Sequence, residues 1–421
     1  MTTSRRVLHQ VIGLAGARGA ASLLSAAWLV VAASHLPLVE FGDLILLLAL
    51  GVVATTVSDS GVQLRLADHI ARVGAIDAAA LRAALRVRIL LASASSVAVA
   101  LLYVLVANDR RVIIPAVFAV SILSTTIYTS LLSAYRALGH VVLDGANDVL
   151  SRVAMLAAGT VWVVHFHGGL LAAVTLYSAT DLVSAIAVTW RLKSKIRSDV
   201  PAARGAIDVG LRSMLPLALA LLVNIVYYRA DVYLVGVIKG PAEAGLYGAA
   251  YRLLDAAMIP GLALANMVLA HTSSATDEMR TATLARFQRL ALGITAPVVL
   301  VGVALGPLVL SLALGSTFDG ARGIGVILLL SAVPGAIVSV LVAYLGVWDR
   351  RALGQLAVVA LATNVVLNLV FISAWGGAGA AAANLVSQTF FALALRRSAR
   401  LGHAASERFV MIEPHGGEAA C

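Results

Sequence analysis

Long apolar runs follow one another along almost the whole chain, separated by short polar stretches. Twenty or so mostly apolar residues suffice for a helix to cross a bilayer. About twelve such segments occur, near 8–34, 41–64, 86–107, 112–135, 146–166, 168–190, 210–238, 243–270, 290–314, 322–347, 354–374 and 377–396. The pattern predicts an all-α polytopic membrane protein with little left over for a soluble domain. The longest remainders are a loop near 191–209 and a tail after about 397.

Six segments fall in each half, and short strings recur between the halves. Glu40-Phe41-Gly42 follows the first segment and Glu243-Ala244-Gly245 follows the seventh. His167-Gly168-Gly169 opens the sixth, and Trp375-Gly376-Gly377 opens the twelfth. The spacing predicts two parallel repeats, an arrangement in which transporters place a substrate site between halves. The expected division is a first lobe at 1–197, a connector at 198–209, a second lobe at 210–397 and a tail at 398–421. Pro216, Pro260, Pro297 and Pro334 fall within segments of the second half. Each removes a helical hydrogen bond, so that lobe is expected to be the more bent.

Composition agrees with this picture. The 421 residues are 61% hydrophobic and 12% charged, against roughly 25% charged in soluble domains. The single cysteine, Cys421, excludes an intramolecular disulfide and a Cys/His metal cluster. His165 and His167 lack further ligands for a metal and are assigned to the membrane interface. Arg18 interrupts the first apolar run, so that run is expected to remain as a span rather than act as a cleaved signal. The net charge of +10 follows orientation rather than nucleic-acid binding. Of 31 Lys and Arg, 24 fall on one set of alternating loops and 4 on the other. This bias puts the richer side, with both termini, in the cytoplasm.

Three arginines remain inside the segments: Arg18, Arg229 and Arg252. A guanidinium keeps its charge at neutral pH and is costly in hydrocarbon. Such groups face a carboxylate, a bundle interior or a wet cavity. The segments also hold Asp59, Asp181, Asp231 and Asp255. Arg229 and Asp231 stand two apart and so point to different faces of a helix, whereas Arg252 and Asp255, three apart, can touch. Pairing between the seventh and eighth helices is expected, and Arg18 has no acid at helical spacing. Arg18, Arg229 and Arg252, with the neighbouring Tyr228 and Tyr251, are the candidate substrate-binding residues. Asp181, Asp231 and Asp255 are the candidates for coupling to protons or sodium. Asp181 is equally suited to pairing with an arginine. The chain has no GxxxxGK[ST] loop, G-x-S-x-G or HExxH, so neither ATP-driven work nor hydrolase chemistry is indicated, and no cofactor is expected.

Several strings resemble a known family. Arg212-Ser213-Met214-Leu215-Pro216, Tyr227-Tyr228-Arg229-Ala230-Asp231, Pro241-Ala242-Glu243-Ala244-Gly245-Leu246-Tyr247 and Ala249-Ala250-Tyr251-Arg252 look like the seventh and eighth helices of the polysaccharide-transporter flippases. These are the O-antigen and oligosaccharide flippases of the multidrug/oligosaccharidyl-lipid/polysaccharide exporter superfamily. Asn364-Val365-Val366-Leu367-Asn368-Leu369 and Trp375-Gly376-Gly377-Ala378-Gly379 resemble their eleventh and twelfth helices. The first half agrees more loosely, through Glu40-Phe41-Gly42, Ser58-Asp59-Ser60-Gly61 and Tyr135-Arg136-Ala137-Leu138-Gly139. The resemblance implies two six-helix lobes around a V-shaped central cavity. It implies transfer of a polyprenyl-pyrophosphate-linked oligosaccharide from the inner to the outer leaflet of a bacterial cell membrane. Membrane lipids, glycosyltransferases and a polysaccharide polymerase are then the expected partners. Peptidoglycan-precursor flippases of the superfamily carry two further helices, which are missing here. The alternatives are an ion-coupled drug or metabolite exporter, whose site should be acidic, and a membrane enzyme of polysaccharide assembly, which should have a larger outer loop.

The charge bias makes a topological prediction. Reporter fusions at residue 200 and beyond residue 400 should both report the cytoplasm, and an external signal at either would contradict the orientation.

Overall fold

The computed structural model describes residues 2–166, 168–197, 210–272 and 277–410, with some side chains inside these helices, Arg18 among them, outside the described set. Twelve helices follow in order: α1 (Thr2–His35), α2 (Leu38–Asp59), α3 (Val62–Val73), α4 (Ala78–Val106), α5 (Ile113–Ala137), α6 (Val141–Phe166), α7 (Leu170–Leu192), α8 (Leu211–Lys239), α9 (Pro241–Thr272), α10 (Asp277–Leu314), α11 (Gly320–Trp348) and α12 (Arg350–Val410). Among the described residues, eight helices contain a stretch long and apolar enough to cross a membrane: α2, α4, α5, α7, α8, α10, α11 and α12. The apolar part of α12 covers 51 residues, enough for two crossings. Gly376 divides it, with φ 59° and ψ −137°. That conformation suits only glycine, and the turn is tight: a Cβ on Gly379 would stand 2.0 Å from the Phe371 carbonyl oxygen. α1, α6 and α9, of 34, 26 and 32 residues, also have the length to cross. The protein is an all-α, multi-pass membrane protein.

The structure departs from the hydropathy reading between the second and third spans. The segment expected at 41–64 ends at Asp59, because Ser60 (φ 44°) and Gly61 (φ 82°) turn left-handed. A separate amphipathic helix follows. α3 buries Val62, Leu66, His69 and Ile70 and exposes Leu64, Asp68 and Arg72. Asp77 then caps α4, accepting from the amides of Ala79 (2.9 Å) and Ala80 (3.3 Å). α4 therefore begins eight residues before the expected 86. A parallel bridge pairs Ile76 with Ile196 and Asp77 with Arg197, tying this cap to the end of α7.

The helices pack in two sets. α1 lies against α6, α5 against α7, and α4 against α2 and α5. In the second set α11 contacts α9, α10 and α12, and α12 also contacts α8. α2 joins the sets by packing on α8 and α9. Small residues make that contact close. A Cβ on Gly42 would stand 1.7 Å from the Pro241 carbonyl oxygen, and one on Gly248 would stand 2.4 Å from Ile45. Apolar side chains gain nothing by leaving lipid, so helices associate through this intimate van der Waals fit.

The recurring sequence strings make the same contact twice. Glu40, in the first turn of α2, accepts the Leu170 amide at the start of α7 (2.7 Å). Glu243, in the first turn of α9, accepts the Gly377 amide just after the break in α12 (2.8 Å). Each carboxylate satisfies an amide that a helix start leaves without an intrahelical acceptor and sits where the helix dipole favours negative charge.

The glycine contact makes a stability prediction. Gly42→Ala should cost at least about 1–3 kcal/mol, as overpacking does. Gly354→Ala, where a Cβ meets nothing within 4 Å, should be neutral or slightly stabilising. Thermal unfolding in detergent measures both, and equal melting temperatures for wild type and Gly42→Ala would contradict the packing account.

Candidate functional site

A cavity of about 150 Å³ opens between the two helix sets. α1, α2, α6 and α7 line one side, and α8 and α9 the other. Its polar lining comprises Ser25, Trp28, Arg152, Tyr177, Arg229, Tyr251 and Arg252. Three arginines therefore face one space inside a membrane protein.

Arg229 and Arg252 reach the cavity from neighbouring helices and share one carboxylate. Arg252 Nη1 donates to Asp255 Oδ2 at 2.8 Å, and Arg229 Nη2 lies 3.8 Å from Asp255 Oδ1. The i,i+3 spacing on α9 brings Arg252 to Asp255, and the packing of α8 on α9 brings Arg229. Asp255 is thus the partner between helices that Arg229 requires. Arg229 also stands over the ring of Tyr251, 5.1 Å from its centre. Tyr251 is held in turn by its hydroxyl, which donates to the Tyr228 carbonyl oxygen at 3.0 Å. Arg252 Nε is buried with no acceptor. Two guanidiniums on one carboxylate leave positive charge and hydrogen-bond donors for something else.

The other candidates separate from this group. Tyr228 supplies its carbonyl, and its side chain is not among those lining the cavity. Asp231 does not pair with Arg229. It is buried, accepting from Tyr247 Oη (2.6 Å) and the Val232 amide (2.8 Å). Near it is a buried polar group built by the two arms of α12. Asn364 Nδ2 donates to Ser387 Oγ (2.8 Å) and Asn368 Nδ2 to Asn364 Oδ1 (3.0 Å). The side-chain oxygens of Asn368, Asn384 and Gln388 have no donor. Asp181 lies away from the cavity surface, between α5 and α7, where the hydroxyls of Ser121 and Thr125 donate to it, the latter at 3.3 Å. The side chains of Arg18 and His165, and the whole of His167, lie outside the described set. Among the described residues no three His, Cys, Asp or Glu gather as metal ligands.

Two arginines assigned from sequence to cytoplasmic loops lie inside the protein. Arg152 lines the cavity, with its guanidinium 5.9 Å from the centre of the Tyr177 ring. Arg88 is only 1% exposed. It donates to Ser130 Oγ (2.5 Å) and Thr129 Oγ1 (3.3 Å), and Asp59 stands 3.9 Å away. The available signal was the one used for Arg252. Asp148 precedes Arg152 by four residues, a spacing at which the pair meets on a helix.

The profile of the polysaccharide biosynthesis protein family matches residues 7–269. No curated protein sequence matches the chain. Among solved structures, a lipid II flippase MurJ in an inward closed conformation superposes with a TM-score of 0.76 at 12% identity, over 92% of this chain and 87% of that one. An inward-facing multidrug resistance MATE family transporter of the MOP superfamily gives 0.71 at 15% identity, over 92% and 96%. A MOP superfamily transporter from Pyrococcus furiosus, described as having a binding pocket of reverse polarity, gives 0.63 at 14% identity, over 95% of each chain. The protein has the fold of this transporter superfamily, and by its match over residues 7–269 it belongs to the polysaccharide biosynthesis protein family.

Proposed function

We propose that the protein is a flippase for a polyprenyl-pyrophosphate-linked oligosaccharide, moving it from the inner to the outer leaflet of a bacterial cell membrane for cell-surface polysaccharide assembly. One observation carries this reading: two cavity guanidiniums, Arg229 and Arg252, share the single carboxylate of Asp255. A diphosphate is the complementary ligand, because guanidinium binds phosphate oxygens through paired, charge-assisted hydrogen bonds. The open space beside these arginines suits a sugar, while the lipid tail stays in the bilayer. An exporter of organic cations would need acidic lining, and arginines oppose it.

In this reading the moving bodies are the helices of 1–197 and of 210–397. The segment 198–209 connects them, and 398–421 is a tail on the cytoplasmic side together with the N-terminus. Arg18 belongs to the reading on its sequence alone. Glycosyltransferases and a polymerase would supply and consume the lipid. Among the carboxylates, Asp231 best suits a coupling cation, since Asn384, whose side-chain oxygen has no donor, lies beside it. Asp181 suits a structural role, since hydroxyls already saturate one of its oxygens.

Translocation of a fluorescent polyprenyl-pyrophosphate oligosaccharide in proteoliposomes tests the reading. Arg252→Gln should slow it at least about tenfold, the worth of one lost charge-assisted contact. Arg252→Lys should fall between, keeping charge but losing the planar fork. In Arg252→Gln the carboxylate of Asp255 keeps Arg229 as its partner, so protein level should hold while transport falls. Wild-type transport by Arg252→Gln would contradict a role for Arg252 in holding the substrate. Asp231→Asn should abolish any sodium or proton dependence of the rate, and an unchanged dependence would clear Asp231.

A further inference from the structure

The cavity has a cation on the side facing Arg229 and Arg252, and it is held more loosely. Arg152 enters from α6 and stacks near Tyr177 of α7, as Arg229 stacks near Tyr251 of α9. Its hydrogen-bonding contacts are long. Arg152 Nε is 4.0 Å from Asp148 Oδ1, and Nη1 is 3.8 Å from the Met155 sulfur. A charge-assisted N–H···O bond spans about 2.7–2.9 Å, the length that Arg252 achieves with Asp255. Asp181, four residues after Tyr177 on α7, lies within electrostatic reach of Arg152 but forms no ion pair with it, its hydrogen bonds coming from the hydroxyls of Ser121 and Thr125. Trp28, which lines the same space, has a buried Nε1 with no acceptor. Tyr177 lies within electrostatic reach of both Arg152 and Arg252. Arg152 from α6 thus shares the cavity lining with Trp28 of α1 and Arg252 of α9, whose buried Nε1 and Nε have no acceptor.

We infer that Arg152 is the first helix set's half of a two-sided grip on the diphosphate, opposite Arg229 and Arg252, and that this grip selects two linked phosphates over one. The inference rests on the flippase reading. A monophosphate can satisfy the cations of one side only. A diphosphate carries a second phosphoryl group to the other side, and by bridging them it draws the two helix sets around the head group. Arg152 is then a specificity-determining residue, and Asp148 is a positioning residue that holds the guanidinium near the cavity when no ligand is bound.

Binding of farnesyl pyrophosphate and of farnesyl monophosphate to the full-length protein in nanodiscs, measured by calorimetry, tests this. Wild type should prefer the diphosphate by at least about tenfold. Arg152→Gln should weaken diphosphate binding by about that factor and monophosphate binding by less than about twofold, so the preference collapses. If Arg152→Gln is not monodisperse, Arg152→Gln with Asp148→Asn carries the same expectation, because it removes the nearby carboxylate as well. Retention of the preference in these variants overturns the inference and leaves the flippase reading intact. Equal wild-type binding of the two probes also overturns it. Failure of wild type to bind either probe removes the flippase reading and the inference together.

Discussion

A guanidinium cannot be left alone inside a membrane, and the centre of this protein is arranged around that constraint. Burying an unpaired charge is so costly that arginines at such depth find carboxylates, aromatic faces or water. Here Asp255 meets two guanidiniums where one would have neutralised it. Tyr251 and Tyr177 lie beneath Arg229 and Arg152. The arginines are therefore tolerated without being saturated. In the proposed reading an anionic ligand completes what the protein leaves incomplete.

The rest of the fold supports this cavity from outside. α2 meets α8 and α9 through glycines that let backbones touch, which fixes one edge of the space between the helix sets. Glu40 and Glu243 fasten the start of α2 to that of α7, and the start of α9 to the second arm of α12. Each carboxylate binds within its own set of helices, so the sets are internally braced, while packing and a hydrogen bond from Tyr233 Oη to the Leu102 carbonyl oxygen (3.4 Å) join them. Asp231 belongs to a different part of the design. It is buried, with Tyr247 and Asn384 of α12 beside it, and it forms no ion pair with Arg229, its neighbour in sequence.

Hydropathy alone was enough to read the fold class and the spans, because apolar runs of this length have few other uses. α3 was not legible, since its amphipathic residues continue the apolar run of α2 and only the left-handed turn at Ser60 and Gly61 separates them. The site was half legible. Arg229 and Arg252 stand in the middle of apolar segments and call attention to themselves. Their common partner Asp255 follows from i,i+3 spacing on one helix, but its reach to α8 depends on tertiary packing. Arg152 and Arg88 were hidden because each lies toward the end of an apolar run that carries further charges. A positive-inside count takes such residues for loop cations. The structure starts α6 at Val141 and α4 at Ala78, which carries both arginines well inside a helix. No spacing rule could have paired Asp231 with Tyr247, sixteen residues away on the next helix.

The most direct test of the account is a density map of the protein in nanodiscs with a polyprenyl-pyrophosphate oligosaccharide bound. The account predicts that the two phosphoryl groups lie between the guanidinium of Arg152 on one side and those of Arg229 and Arg252 on the other. Diphosphate density away from these three side chains, or guanidiniums that stay on their own carboxylates with ligand bound elsewhere, would contradict it.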